Sequence, residues 1–394
     1  MSILSVNAGS SSLKFSLYPL VQHQVTPQIL SGNIEGLEPG GSPEMCWSFQ
    51  GQSQRRQLNL GTEQVFAKAL LSLRELLASL PNIPAMQAVV HRVVHGGAQY
   101  RVSVLITDAV LADLTQLISL APLHQPANLE GIRAFSQAFA GLPQVACFDT
   151  AFHATLPEVD YRFALPEALY QQGLRRYGFH GLSYQYVMGV LQQSSSRGNG
   201  RVLMAHLGNG ASLCAARAGQ SCSTSMGFSA LDGLMMGTRP GSLDSGVLLY
   251  LMEQGWDHDR LQKLLYKQSG LLGVSGVSAD MRRLRADTSP GAKLAVDIFA
   301  YRVARESGAL VACMQGLDVL AFSGGIGEHD VALRTELGQR MAWLGVQIDP
   351  VRNAQATADQ VMSIHAPDSR VEVWVVPTDE GVVAAREAAR LLHP

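Results

Sequence analysis

The feature that most constrains this chain is a short pattern that occurs twice, once at the start and once past the midpoint. Val6-Asn7-Ala8-Gly9-Ser10-Ser11-Ser12-Leu13 and Ala205-His206-Leu207-Gly208-Asn209-Gly210-Ala211-Ser212 each run from an apolar strand through a polar residue to a glycine two positions on. Apolar runs at 3–6 and 13–18, and again across 201–217, read as strand, tight loop, strand. Any two β-hairpins share that much, because glycine-rich turns are common. Placement near the start of each half favours the alternative, a duplicated unit.

The intervening segments fit such a unit. Residues 63–80 place Val65, Phe66, Ala69, Leu70, Leu73, Leu76, Leu77 and Leu80 on one helical face. Residues 108–120 and 330–343 behave similarly, and a long helix is expected to open at Ser289-Pro290, a cap followed by a tolerated proline, and run towards Gly316. Alternation of strands and helices makes the class α/β. Apolar strands run into Asp149, into Ser323-Gly324-Gly325-Ile326-Gly327, and through Pro377-Thr378-Asp379 into Glu380. Ligands in open α/β sheets sit beyond such carboxyl ends, so these ends are expected to meet at one cleft. A length of 394 residues suggests two domains. The first is expected to span 1–150 with a returning helix at 381–394, and the second 151–380; the loop-rich tract 191–200 reads as a surface linker.

Charge narrows the function classes. Thirty Lys+Arg against 32 Asp+Glu leave a net charge of −2, too weak a field to hold nucleic acid or an anionic membrane by charge alone. Charged residues are only 16% of the chain, which points to a surface partly covered in an oligomer. The five scattered cysteines carry no C-x-x-C spacing for zinc and suit a reducing cytoplasm. The amino terminus lacks a basic leader, and no apolar stretch reaches the ~18–20 residues of a membrane span, so a soluble, unexported protein is expected.

Four constellations carry chemistry. The loop from Asn7 to Lys14 lets backbone amides and serine hydroxyls approach a phosphate, with Lys14 as a point charge; it is not a Walker A sequence. An ordinary polar hairpin leaves Lys14 among apolar strand residues unexplained. The loop from His206 to Ser212 would grip phosphates from the other side, though a lone G-x-G is weak. Ser323 to His329 either lets backbone approach a flat nucleoside or simply turns strand into helix. Finally, Arg92, Asp149, His153, His180 and Arg239 lie in mostly apolar contexts. A buried arginine needs an anion or a carboxylate, so either a substrate or a structural Arg–Asp bridge answers for it. His95, His124 and His153 also read as ordinary hydrogen-bonded turn residues.

Taken in order, these stretches resemble the acetokinase family. The Asn7–Lys14 loop and Val202–Gly219 resemble its two signature patterns. Arg92-Val93-Val94-His95-Gly96-Gly97, Phe148 to His153, Tyr177 to Gly181, Met236 to Arg239 and Gly324 to Glu328 follow in the family's order across the whole chain. The resemblance implies a duplicated, ribonuclease H-like two-domain fold of the sugar kinase, Hsp70 and actin superfamily, with an ATP cleft between an acid- and phosphate-binding first domain and a nucleotide-binding second. It also implies reversible, in-line phosphoryl transfer from ATP to acetate with Mg²⁺ or Mn²⁺, in a homodimer. By the same resemblance Asn7 and Glu380 hold the metal. Asn7, Ser10, Ser12, Lys14, His206, Leu207, Gly208, Asn209, Gly210, Ser212, Asp280, Met281, Arg282, Gly325, Ile326, Gly327, Glu328 and His329 hold the nucleotide. Arg92, Asp149, His180 and Arg239 surround the transferring phosphoryl group, and Val94, Leu123, Phe179 and Ala230 join Arg92 around the acid.

A carboxylate is already ionised at neutral pH, so no base is needed, and the reaction instead demands neutralisation of accumulating negative charge. Arg92 is expected to fork onto the acid, with Asp149 orienting Arg92 or metal-bound water. Relatives commonly carry proline where Ala230 stands, so propionate is an expected alternative substrate. His329 stands where asparagine is usual and Arg283 where an acid is frequent, which leaves base preference open, while Asp379, where asparagine is common, adds negative charge near the expected metal and is expected to tighten it. An ATP-driven clamp of the Hsp70 or actin kind is the alternative from another class, disfavoured because a clamp has no need of carboxylate-reading arginines.

Overall fold

The computed structural model describes residues 1–9, 11–122 and 124–393; the nucleotide-loop candidate Ser10 and the acid-pocket candidate Leu123 lie outside them. The chain divides into two compact units, Met1–Ala151 with Asp379–Pro394, and Phe152–Thr378.

In the first unit β1 (Ser2–Ala8), β2 (Ser12–Val21), β3 (Gln24–Val25), β4 (Leu30–Glu35), β5 (Glu44–Phe49), β6 (Gln52–Gln57), β7 (Met86–Val93), β8 (Val104–Leu105) and β9 (Gln144–Phe148) form one sheet. Its order is β6-β5-β4-β2-β1-β7-β9-β8, with β3 on β2. In the second unit β10 (Arg201–Leu207), β11 (Ala211–Arg217), β12 (Gln220–Thr224), β13 (Val319–Ser323), β14 (Met362–Ser363) and β15 (Glu372–Val375) lie in the order β12-β11-β10-β13-β15-β14. The two sheets share one plan. β1 and β10 are each antiparallel to the following strand and parallel to β7 and β13, which are parallel to β9 and β15. Even the short antiparallel edge strands, β8 and β14, correspond. The repeated glycine pattern thus occupies the same hairpin in each sheet.

The parallel strands are near-continuous apolar runs because both faces are covered. In the first unit Leu70, Leu73 and Leu77 of the helix Val65–Ser79 bury against Leu13, Phe15 and Leu17 of β2. In the second, Val202 and Met204 of β10 share a core with Val319 and Ala321 of β13 and with Tyr184, Val187 and Leu191 of the helix Gly181–Ser194. The helix Pro290–Met314 opens as expected, with the Ser289 hydroxyl accepting from the Ala292 amide.

Two boundaries differ from the sequence reading. Asp379 and Glu380 belong to the first unit: Asp379 accepts from the Tyr18 hydroxyl at 2.8 Å and caps the helix Glu380–Leu392, while Ala151 also stays with that unit. The tract 191–200, read as a surface linker, lies wholly within the second unit. The helix runs on through Ser194, and the following turn, closed by Gly198 N–H to Ser195 O, leads directly into β10 of the same unit.

Candidate functional site

In the first unit three strand and helix ends bring charge together. Arg92 sits near the carboxyl end of β7, Asp149 follows β9, and Glu380 opens the last helix. Arg92 Nε and Nη2 donate to the two Asp149 oxygens at 2.9 and 2.6 Å, and Nε lies 3.3 Å from Glu380 Oε2. Asp149 thus holds Arg92 by its Nε–Nη2 edge, in keeping with the orienting role expected of it, and leaves Nη1 and the second Nη2 hydrogen unclaimed by it. Burial works against the Arg92 charge, but the two carboxylates lift its pKa above the ordinary arginine value. Burial also pushes Asp149 up to about 6 against the pull of Arg92, so the pair stays ionised at neutral pH. Asn7 pairs with Lys14 across β1 and β2, and the adjoining loop closes by Gly9 N–H to Ser12 O at 2.8 Å. Lys14 is exposed, at an outward-facing position between buried Leu13 and Phe15. Asn128 braces both ends, donating to Ala8 O at 2.8 Å and accepting from Val94 N–H at 2.9 Å.

The second unit builds a denser constellation on its hairpin. His180 caps the helix Gly181–Ser194 in left-handed backbone (φ 58°), a conformation unusual for a side chain of this size. Its Nδ1 meets Ser212 Oγ at 2.8 Å, Ser212 in turn meets the Tyr184 hydroxyl, and its ring stacks on His206 at 4.3 Å. Leu207 and Ser212 are fully buried and serve the hairpin from within. Gly210 is the meeting point. A Cβ there would stand 2.9 Å from Arg239 Nη2 and 3.3 Å from His180 Nε2, so the missing side chain is what admits both. Gly237 likewise lets the Met236–Arg239 loop rest on Asn209, where its amide bonds Asn209 O at 3.0 Å. Arg239 Nη1 donates to Ala230 O at 2.7 Å, no carboxylate among the described residues pairs with it, and burial lowers its pKa.

Beside this hairpin lies a cavity of about 840 Å³. Of the expected nucleotide residues, Gly208, Asn209, Asp280, Met281, Arg282, Gly325, Ile326 and His329 line it. The second unit's other candidates, His206, Leu207, Gly210, Ser212, Gly327 and Glu328, do not. Gly327 is buried, and Glu328 Oε1 accepts the Gly324 and Thr378 amides at 2.8 and 3.1 Å, holding the turn together. The Ser323 stretch is itself helical over Gly324–His329. Asp280 and Arg282 grip each other at 2.6 Å, a bond that pulls the Asp280 carboxyl down to about 2. The sequence reading missed four lining residues, Ala279, Arg285, Asp330 and Val331. Asp330 carried a signal, an acidic cap ahead of a helix, which it fulfils by accepting from Leu333 N–H while its other oxygen meets Arg285 at 3.1 Å.

Val94 lies in the first unit, and Phe179 and Ala230 in the second. His153 is structural: fully buried, it meets the Ser221 hydroxyl and Phe179 O, both at 2.9 Å. His95 Nδ1 accepts the Gly97 amide at 2.9 Å, in a turn as expected. All five cysteines are free thiols. Among the described residues no helix is long and apolar enough to cross a membrane, and no group of three or more His, Cys, Asp or Glu is arranged to hold a metal. Asn7 and Glu380 nevertheless offer oxygen donors only, the chemistry Mg²⁺ takes, and Mg²⁺ ordinarily completes its shell with water and substrate phosphates rather than protein. The residues fit that ion.

A hairpin that admits a guanidinium and an imidazole beside a nucleoside-sized cavity, on a duplicated α/β plan, defines a phosphate-handling enzyme. The model of the acetokinase family matches residues 2–386. An acetate kinase of Rhodopseudomonas palustris is 47% identical over 395 residues, spanning 99% of this chain and 98% of that protein. One of Nitrobacter hamburgensis is 45% identical over 399 residues, spanning 99% and 96%. Among solved structures, Porphyromonas gingivalis acetate kinase matches with a TM-score of 0.88 at 36% identity, covering 99% of both chains. A propionate kinase from Francisella tularensis matches with a TM-score of 0.90 at 36% identity, covering 98% of both. The chain belongs to the acetokinase family.

Proposed function

We propose that this enzyme phosphorylates acetate reversibly, using ATP with Mg²⁺ and releasing ADP and acetyl phosphate in the cytoplasm. The observation that carries the reading is Arg239: a half-buried cation whose fixed partner is one backbone carbonyl, aimed with His180 at Gly210, on a hairpin whose Gly208 lines the nucleotide-sized cavity. A cation so placed calls for an anion.

The second unit contributes the nucleotide residues, with Gly208, Asn209 and the Asp280–Arg282 and Gly325–His329 segments around the nucleoside and Arg239 and His180 donating to the transferring phosphoryl oxygens. The first unit contributes the acid. Arg92, held by Asp149, presents Nη1 to the carboxylate beside Val94, while Lys14 and Ser12 serve the phosphates. An acetate oxygen attacks the γ-phosphorus in line, the new P–O bond forming as the bond to the β,γ-bridging oxygen breaks and ADP departs. Asn7 and Glu380 would hold Mg²⁺, which supplies further charge neutralisation. No base is required, and Asp149 acts by orientation.

Propionate is the second reading, favoured by the alanine at position 230 and by the likeness to the Francisella enzyme. A methylene is worth only about 1–3 kcal/mol, so both acids are expected to react. Homodimerisation is supported by the helix Ser245–Glu253, none of whose residues is buried and whose Leu249, Tyr250 and Met252 are 57–62% exposed.

Incubating the protein with MgATP, hydroxylamine and a panel of carboxylic acids traps any acyl phosphate as a coloured hydroxamate. Colour with acetate and propionate is the expected result. ATP hydrolysis indifferent to added acid would overturn the reading in favour of a clamp.

A further inference from the structure

Arg334 is a fully buried arginine that the chemistry above does not use. It lies on the helix Val331–Arg340, and no carboxylate among the described residues bonds it. Its guanidinium is satisfied by neutral acceptors alone. Nε donates to Asn353 Oδ1 at 2.7 Å, Nη1 to Gly327 O and Glu328 O at 3.0 and 2.6 Å, and Nη2 to Asn353 O and Ala356 O at 2.9 and 3.1 Å. Burial lowers its pKa to about 10, so it remains a cation at neutral pH.

The Asp330 carboxylate favours the charge from a distance without bonding it, and does not offset the burial; such a cation is costly, and an apolar side chain of similar volume would serve packing better. The acceptors explain its retention. Gly327 and Glu328 lie at the end of the short helix Gly324–His329, and Asn353 and Ala356 at the end of Pro350–Gln355, where carbonyls run short of intrahelical donors, Asn353 O having only a long 3.4 Å bond from the Ala356 amide, and carry partial negative charge. The planar fork therefore ties two helix ends together, as a single ammonium cannot. Asn353 fixes the geometry further by donating to Val331 O at 3.1 Å and Thr335 Oγ1 at 2.9 Å. The segment so tied is one wall of the cavity, because Ile326 and His329 flank the two clamped carbonyls and Val331 follows.

We infer that Arg334 is a positioning residue for nucleotide binding: it locks the Gly324–His329 wall against the Pro350–Gln355 helix, so that nucleotide meets a preformed surface. The inference rests on the proposed kinase reading for its kinetic test but not for its binding test. In Arg334→Lys, the KM for ATP and the Kd for MgADP by calorimetry should both rise about tenfold, while the KM for acetate and the kcat at saturating ATP stay within about twofold. Arg334→Ala should regain MgADP affinity when methylguanidinium is added. Should either variant fail to melt cooperatively, Asn353→Ala, which removes only the Nε acceptor and the bonds to Val331 and Thr335, should give a smaller shift in the same nucleotide-specific direction. MgADP affinity unchanged in folded Arg334→Lys, or acetate KM rising as much as that of ATP, overturns the inference. Calorimetry reads it even if the hydroxamate assay fails.

Discussion

Arg92 and Arg239 carry the same charge into opposite surroundings. Arg92 is answered by Asp149 and Glu380, whereas Arg239 meets one carbonyl and loses proton affinity to burial. A pre-neutralised arginine orients a substrate, and an under-neutralised one gains most when charge builds up on transferring oxygens. Arg239→Ala should therefore lower kcat on the order of 10³-fold with little change in the KM for ATP. Asp149→Asn should act differently. Removing one partner of a buried pair costs about 3–5 kcal/mol, and a freed Arg92 swings towards Glu380, so the KM for acetate should rise together with a fall in thermal midpoint. Steady-state kinetics with each substrate varied separate the two patterns. In sequence, both arginines are visible as charges in apolar runs, and Asp149 is expected to orient Arg92; the Glu380 contact is not legible there, because that residue lies far away in the chain and only the fold brings it to Arg92.

At the level of elements, the two hairpins were the most legible part of the chain, since a glycine loop between apolar strands is a local signal and the duplication made it recur. The long helix from Pro290 was equally legible, its cap and proline being adjacent in sequence. What escaped reading was tertiary. Glu328 reads as a ligand residue because it sits in a glycine motif, and the bonds of its Oε1 to the Gly324 and Thr378 amides, which hold the turn, are not visible in the sequence. The 191–200 tract looked like a linker because serine and glycine are common in linkers, and here they serve a turn within one unit. The hairpin glycine most exposed to test is Gly210. Alanine there would press on Arg239 Nη2 and His180 Nε2 without touching the cavity wall, and displacement on the scale of an ångström is worth up to about 10²-fold. Gly210→Ala should thus reduce kcat by about 10–100-fold and leave MgADP affinity by calorimetry near the parent value.

Across the whole molecule, both units rely on histidines buried in the neutral form. His91, bonded to Gln144 at 2.7 Å, and His95 lie in the first unit and His153 in the second, and burial lowers each from 6.5 to about 4. Burial keeps His153 neutral, and the Arg176 charge adds to the penalty on a second proton, against the opposing pull of Phe179 O; in the neutral ring Nε2–H donates to that carbonyl and Nδ1 accepts the Ser221 hydroxyl. Between pH 6.5 and 4 the unfolded chain binds protons that these folded histidines refuse, so stability falls as pH falls, by about 3 kcal/mol for each fully buried ring across that window. Asp149 runs the other way. Its folded pKa of about 6 lies above that of the unfolded carboxyl, so it takes up its proton more readily when folded and offsets roughly one histidine below pH 6. The net expectation is a denaturation midpoint that drops steeply from pH 6.5 towards 4. His153→Gln, whose amide can still donate to Phe179 O, should flatten that drop by about one histidine's share while costing some stability at pH 7.5. Urea melts at closely spaced pH values measure both slopes, and parallel slopes in the parent and His153→Gln would show that His153 is charged when folded.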